Sequence, residues 1–300
     1  MPLVLRQIFP LSLKEVHTLN DLKALLPHEN DSGKPVGFVP TMGALHQGHL
    51  ALVREALKDG AFVVVSIFVN PLQFNNPNDL RYYPSSPKQD RALLEEAGVP
   101  LLYTPSFAEV FGQEQPMTFD LAGLDTYLEG ASRPNHFQGV ANVLYRFFGQ
   151  VKPRVAYFGL KDYQQVMVVK QLVKQHFPQL TIKAIPTLRD SEGLALSSRN
   201  ARLSAQAYKR ALFVPRFLKA LTQKWADWNW EEAKRELEQG MKAHRLSMEY
   251  AALLDAESLK TLSEFDPKRP MLLSLAWSAD DVRLIDNVPV NQPFTTFEAC

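Results

Sequence analysis

The chain has 300 residues, 46 % hydrophobic and 22 % charged, which excludes disordered and fibrous classes and leaves room for two cores. Its 33 basic and 32 acidic residues leave a net charge of +1, so no bulk positive field points to nucleic acid and no basic block to a membrane surface. The single cysteine, Cys300, excludes an internal disulfide framework and a cysteine-based zinc site.

The apolar run at the N-terminus breaks at Arg6 and Gln7, too early for a secretory signal. No stretch reaches the ~20 apolar residues of a membrane span. A cytoplasmic protein is expected. Ser12 with Glu15 has the form of a capping box, and Val16, Leu19, Leu22 and Leu26 recur at helical spacing, so a first helix is predicted there. Residues 36–39 form a short apolar segment that ends at Pro40 and a glycine-containing loop. From Leu50 the spacing is helical again and stops at Gly60. Residues 61–69, AFVVVSIFV, are almost unbroken apolar and β-branched, the mark of a parallel strand buried on both faces.

The alternation continues. Residues 86–98 read as a helix, 99–103 as a strand, 140–151 as a helix, 155–158 as a strand, 162–177 as a helix and 180–185 as a strand. Such alternation implies right-handed crossovers and a doubly wound α/β sheet of Rossmann-like type, which binds ligands at the carboxyl ends of its strands. Near residue 187 the rhythm changes. Two helical patterns follow, about 204–224 (where Pro215 should kink the helix) and 229–245. Strand-like runs at 248–254, 271–277 and 282–285 close the chain. A division into a nucleotide- and acid-binding domain, 1–187, and a smaller α+β lid domain, 188–300, is expected.

Four segments that follow predicted strands carry chemistry. The first is Thr41-Met42-Gly43-Ala44-Leu45-His46-Gln47-Gly48-His49. Gly43 and Gly48 let backbone approach a ligand, the helix start offers free N–H groups to phosphate, and two imidazoles lie near the same site. A lone histidine at a helix start is more often incidental; HxGH after a strand in an alternating chain favours a nucleotide. The second is Asn70-Pro71-Leu72-Gln73-Phe74, where Gln73 could offer an amide donor and acceptor. Taken alone it is an ordinary strand-ending loop. The third is Gly159-Leu160-Lys161-Asp162-Tyr163-Gln164-Gln165, with a lysine suited to phosphate. Asp162 and Gln165 equally match a helix cap. The fourth is Leu196-Ser197-Ser198-Arg199-Asn200, whose hydroxyls and guanidinium suit the outer phosphates of a nucleotide.

Together the four are stronger than any one. PTMGALHQGHL (40–50), SIFVNPLQF (66–74), RPNHFQGV (133–140), FGLKDYQQ (158–165) and GLALSSRN (193–200), with VRLIDN (282–287), resemble the pantothenate synthetase family. That family lies within the HxGH nucleotidyltransferase superfamily, which also includes class I tRNA synthetases. The resemblance covers most of the chain in order. The family usually carries Glu where Leu160 stands, Gly where Asn135 stands, and Arg soon after Pro84, where this chain has Ser85. Lys161, Asp162 and Gln165 are in place, so activity is expected to survive.

The resemblance implies that pantoate attacks ATP to give pantoyl-adenylate and pyrophosphate, and that β-alanine then displaces AMP. It implies that residues Met42, Gly43, Ala44, Leu45, His46, Gln47, Gly48 and His49 wrap the ATP, with His49 stabilising or protonating the leaving phosphate and His46 supporting it. Lys161, Ser197, Ser198 and Arg199 would hold phosphates, while Gly159, Leu160, Asp162, Leu188 and Leu196 would line the nucleotide. Gln73 and Gln165 would hold pantoate, and Arg133 and His136 would close the site. Mg2+ would ride on the phosphates, with Asp90 a candidate ligand, and a homodimer would be the family's usual state. The rival readings are another HxGH adenylyltransferase and a catalytically silent nucleotide-binding protein on the same fold.

Overall fold

The computed structural model describes residues 12–27 and 33–291; Cys300 and the N-terminal run through Gln7 lie outside them. Its first body is a six-stranded, wholly parallel sheet in the order β1-β4-β3-β2-β5-β6. The strands are β1 (Lys14–Val16), β2 (Val36–Thr41), β3 (Phe62–Ile67), β4 (Leu101–Tyr103), β5 (Val155–Gly159) and β6 (Thr181–Ile185). Around them run α1 (Leu19–Leu25), α2 (Gln47–Lys58), α3 (Pro77–Arg81), α4 (Pro87–Glu96), α5 (Phe107–Phe111), α6 (Glu129–Ser132), α7 (His136–Val151) and α8 (Tyr163–His176).

Successive strand residues point to opposite faces, and both faces are covered. Val63 and Val65 join α2 and α4 through Leu50, Val53, Ala56 and Leu94 on one side. Val64 and Phe38 join α7 and α8 through Phe147, Phe148, Val169 and Leu172 on the other. That double burial explains the unbroken apolar run of β3.

The predicted first helix begins too early. Lys14–Val16 pairs with Leu101–Tyr103 as the edge strand β1, and the Glu15 carboxylate takes bonds from Arg91 and Thr104. Thr18 caps α1 instead, accepting from the Asp21 N–H at 3.1 Å. Leu13 and Val16 happen to stand at helical spacing from Leu19, and the strand is too short for its own period to register.

The second body holds α9 (Ala205–Ala211), α10 (Phe213–Gln223), α11 (Trp230–Ala243) and the antiparallel meander β7 (Leu246–Asp255), β8 (Met271–Ala279) and β9 (Val282–Pro289). Trp277, Leu218 and Leu237 are at the centre of its core. Pro215 does not kink a helix. The chain breaks at Leu212, so the proline falls in the first turn of α10, where its missing N–H leaves no bond unmade. Leu254, Ala256, Leu259 and Leu272 cross into the core of the first body, so the two bodies share a dry contact.

Helix α7 carries two local constraints. It starts at Asn135, whose φ of 64° is left-handed, a conformation Asn tolerates where the resembled family usually has Gly. One turn on, a Cβ on Gly139 would lie 2.3 Å from the Leu72 carbonyl oxygen. The glycine therefore lets the loop after β3 lie directly on the helix backbone, where Asn70 Nδ2 donates to the Gly139 carbonyl at 3.0 Å. Gly139→Ala should destabilise the protein by about 1–3 kcal/mol, because a backbone clash is not relieved by side-chain rotation. Urea denaturation measures it; unchanged stability would show that the loop can slide off the helix freely.

Candidate active site

Strand order reverses between β2 and β5: the chain leaves β2 toward β3 and later returns to place β5 on the other side. Connections at such a point diverge and open a crevice beyond the strand ends. The cleft there has about 1450 Å³ including its open mouth, ample for a nucleotide and a small acid together. The loops after β2, β3, β5 and β6 all contribute to its wall.

The loop after β2 is held in an unusual shape. Gly43 and Ala44 are both left-handed, with φ of 82° and 50°. Their turn aims the Ala44 and Leu45 N–H groups at the two Asp90 carboxylate oxygens, each at 2.8 Å, and Ser86 Oγ donates to the same carboxylate. Asp90 is 1 % exposed. The expectation that it binds Mg2+ is therefore corrected: its oxygens are occupied by main-chain donors behind the loop.

His46 and His49 then cap α2 reciprocally. The Gly48 N–H donates to His46 Nδ1 at 3.1 Å, and the His46 N–H donates to His49 Nδ1 at 3.3 Å. An amide N–H can bond only an unprotonated ring nitrogen, so each neutral ring carries its proton on Nε2. The rings lie 4.1 Å apart, centroid to centroid. Burial, then Lys161, lowers the His46 pKa to about 4; burial, then His46, lowers that of His49 to about 3. Both are neutral donors at neutral pH.

The amides have separate supports. Gln73 is buried, takes a bond from Asn70 Nδ2 at 3.2 Å and donates to the Met42 sulfur. Its main-chain oxygen accepts from His136 Nδ1 at 2.7 Å and from Arg133. Burial and Arg133 lower the His136 pKa to about 4, so this ring is a fixed strut. Gln165 lines the cleft, whereas its neighbour Gln164 is turned inward and bonded to the Glu129 N–H and the Leu124 and Tyr127 carbonyls.

Each cation in the cleft has a carboxylate beside it. Lys161 Nζ lies 3.6 Å from Asp162, and Arg199 pairs with Asp79 of α3 at 3.1 Å. Asp162 is the one carboxylate among the described residues that line the cleft, and no group of three or more metal-ligating side chains occurs among the described residues.

Met42, His46, Gly48, His49, Gln73, Gly159, Lys161, Asp162, Gln165, Leu188, Leu196, Ser197, Ser198 and Arg199 are brought to one cleft, and Arg133 and His136 join them there. Gly43, Ala44, Leu45, Gln47 and Leu160 do not line it. Leu45 and Leu160 are core residues, and Gln47 is exposed and bonded to Arg54. At Leu160 the chain has an apolar side chain packed inward, so its place in the motif is filled by packing. Sequence reasoning missed Asn70, Tyr83 and Asp79 as organisers of the site. Asn70 had a signal, since Asn before Pro is a good cap, but its long-range bond to Gly139 had none.

Comparison with known proteins agrees with this geometry. The family model described as pantoate-beta-alanine ligase matches residues 14–289. The pantothenate synthetase of Thermus thermophilus is 42 % identical over 281 residues, covering 93 % of this chain and 99 % of its own. That of Bacteroides thetaiotaomicron is 39 % identical over 277 residues, covering 92 % and 98 %. A solved Thermus thermophilus pantothenate synthetase superposes with a TM-score of 0.85 at 41 % identity, covering 93 % of this chain and all of that one. A pantoate-beta-alanine ligase from Francisella tularensis, solved with beta-gamma ATP and beta-alanine, gives 0.78 at 33 % identity, covering 94 % and 99 %. With its fold and nearly its whole length in common with these relatives, the chain belongs to the pantoate-beta-alanine ligase family and is a ligase.

Proposed function

We propose that this enzyme joins pantoate and β-alanine into pantothenate by way of a pantoyl-adenylate. The observation that carries the reading is one cleft lined both by phosphate-suited donors and by two neutral amides. His46, His49, Lys161, Ser197, Ser198 and Arg199 suit a triphosphate, and Gln73 and Gln165 suit a small hydroxy acid. The Francisella relative's complex with a form of ATP and beta-alanine supports the substrate set.

In the first step a pantoate carboxylate oxygen attacks the α-phosphorus and pyrophosphate leaves. Charge builds on the phosphate oxygens, and the Nε2–H groups of His46 and His49 are preorganised donors for it. Their low pKa values favour hydrogen-bond donation over proton transfer. Gln73 and Gln165 hold the acid without adding charge, which leaves its carboxylate nucleophilic. In the second step the β-alanine amine, having lost its proton, attacks the acyl carbon and AMP departs. No covalent enzyme intermediate is required; position and charge do the work. Mg2+ would be held mostly by phosphate oxygens and water, with Asp162 the one carboxylate among the described residues lining the cleft, and would neutralise phosphate charge. The division at residues 187 and 188, a homodimer and a cytoplasmic location belong to the same reading. Among the described residues no helix is long and apolar enough to cross a membrane.

Pantoate alone, without β-alanine, should make the enzyme exchange labelled pyrophosphate into ATP. An adenylyltransferase acting on a phosphate acceptor would not respond to pantoate, and a silent binder would not exchange at all. No turnover with pantoate, ATP, Mg2+ and β-alanine together would overturn the reading. His49→Ala should slow exchange about 10²–10³-fold while lowering stability by no more than a lost helix cap, about 1 kcal/mol.

The buried histidines also set a pH limit. The folded pKa values of His46, His49 and His136 lie below the ordinary 6.5, so the unfolded chain binds protons that the folded sites refuse. Stability therefore falls as pH drops through 6.5, by at most about 1.4 kcal/mol per pH unit for each ring. The histidine contribution levels off below the folded values. Urea denaturation at pH 7 and pH 5 should show this loss, and His136→Asn should remove about a third of it, leaving the share of His46 and His49; a flat wild-type profile would show the rings to be solvated.

A further inference from the structure

Lys161 and Arg199 sit on loops that follow different strands, β5 and β6, and each side chain is paired with its own carboxylate rather than tied to the other loop. What fixes their separation comes from the far end of the chain. In β9, Asn287 is buried, and its Nδ2 donates to the Leu160 carbonyl at 2.9 Å and the Lys161 carbonyl at 2.7 Å. Carbonyls only accept, so the amide nitrogen must face them. The Asn287 Oδ1 is then left buried with no partner. Accepting an unpaired oxygen to keep both donors in place marks the two carbonyl bonds as the purpose of the side chain.

The preceding residue grips the other loop. Asp286 has a fully buried side chain and receives Arg189 in a two-point ion pair, at 2.6 and 2.8 Å. Arg189 also donates to the Gly193 carbonyl, and its strand bridge to Ala195 closes the turn that leads into Ser197, Ser198 and Arg199. Asp286 Oδ1 meanwhile accepts the Asn287 N–H at 2.8 Å, which locks the two residues to each other. One dipeptide of the second domain thus holds the backbone of both phosphate loops.

We propose that Asp286 and Asn287 are positioning residues that set the spacing of Lys161 and Arg199 for a bound triphosphate. The inference rests on the reading of these loops as the ATP-phosphate site. Both residues line a cavity that adjoins the nucleotide cleft and shares Lys161 and Arg199 with it, and their side chains are engaged by the Lys161 turn and by Arg189, so they act through the loops they hold.

The test is Asn287→Asp, which keeps the shape and replaces the Nδ2 that donates both bonds with one oxygen facing two carbonyl oxygens. Binding of a non-hydrolysable ATP analogue, followed by calorimetry, should weaken about tenfold, while pantoate affinity stays within about twofold. Placed in a Lys161→Ala background, the same change should add less than about twofold, since a residue acting through Lys161 has nothing left to position. Asn287→Ala serves where the aspartate variant does not fold. A folded variant that binds the analogue like wild type would overturn the proposal. So would equal weakening of analogue and pantoate, or losses that multiply with those of Lys161→Ala, because either shows a general packing role. The analogue arm needs no turnover, so a wild-type protein that binds it but ignores pantoate would overturn the choice of acid and leave this test standing.

Discussion

A parallel sheet buried on both faces can bring polar groups together only where its strands end. Every face-pointing side chain at the centre of β3 is committed to one of two cores, and Val63, Val64 and Val65 are all fully buried. The main chain of such strands is satisfied by its neighbours, so free donors appear first in the loops beyond the carboxyl edge. The reversal of strand order between β2 and β5 then separates two adjacent loops and makes room for a ligand. The cleft follows from that topology, and its polar side chains gather on the rim.

Holding those loops still is a separate task, met with buried polar groups. Asp90 grips the N–H groups of two residues at a left-handed turn, Asn70 ties the Gln73 loop to α7, and Asn287 ties the Lys161 turn to the second domain. Each is buried, and each bonds main chain as well as or instead of other side chains. Main-chain partners cannot rotate away, so such bonds transmit position better than contacts between flexible side chains. The same burial keeps His46 and His49 uncharged. Neutral rings avoid repulsion between themselves and with Lys161 while the cleft holds no anion.

Much of this was legible in the sequence, and the failures have physical causes. The long alternating elements were placed because apolar spacing over ten or more residues outweighs local noise. The three-residue strand β1 was read as helix because its one buried residue, Val16, stands at helical spacing from Leu19 and too few residues remain to show a strand period. Pro215 was assigned a kink because spacing does not show that a helix has already ended at Ala211. In the site, HxGH, Lys161 and the Ser197 loop stood out because they follow strand ends, where side chains have no packing duty. Asp90 was named a candidate Mg2+ ligand within what the family resemblance implies. Its bonds to residues 46 and 45 positions earlier are not encoded in any local pattern. Asn287 and Asp286 lay in a recognised motif, but their partners are more than ninety residues away.

The charges of the cleft complete the argument. Lys161 with Asp162 and Arg199 with Asp79 are paired at the cleft, and Arg283 with Glu129 is paired beside it. Partly exposed pairs like the first two contribute little to stability, so their main effect is to balance the charge of the cleft wall. On the proposed reading, a triphosphate would compete with the exposed carboxylates on the cleft wall more readily than with the buried one. Asp162 is about half exposed and Asp79 about a third, whereas Glu129 is nearly buried, held by Arg283 and Tyr250. The Asp162 and Asp79 pairs are open to solvent, while the Glu129 pair is closed between the two bodies. The same kind of ion pair thus occurs on the cleft wall and in the contact between the bodies, and burial separates the two settings.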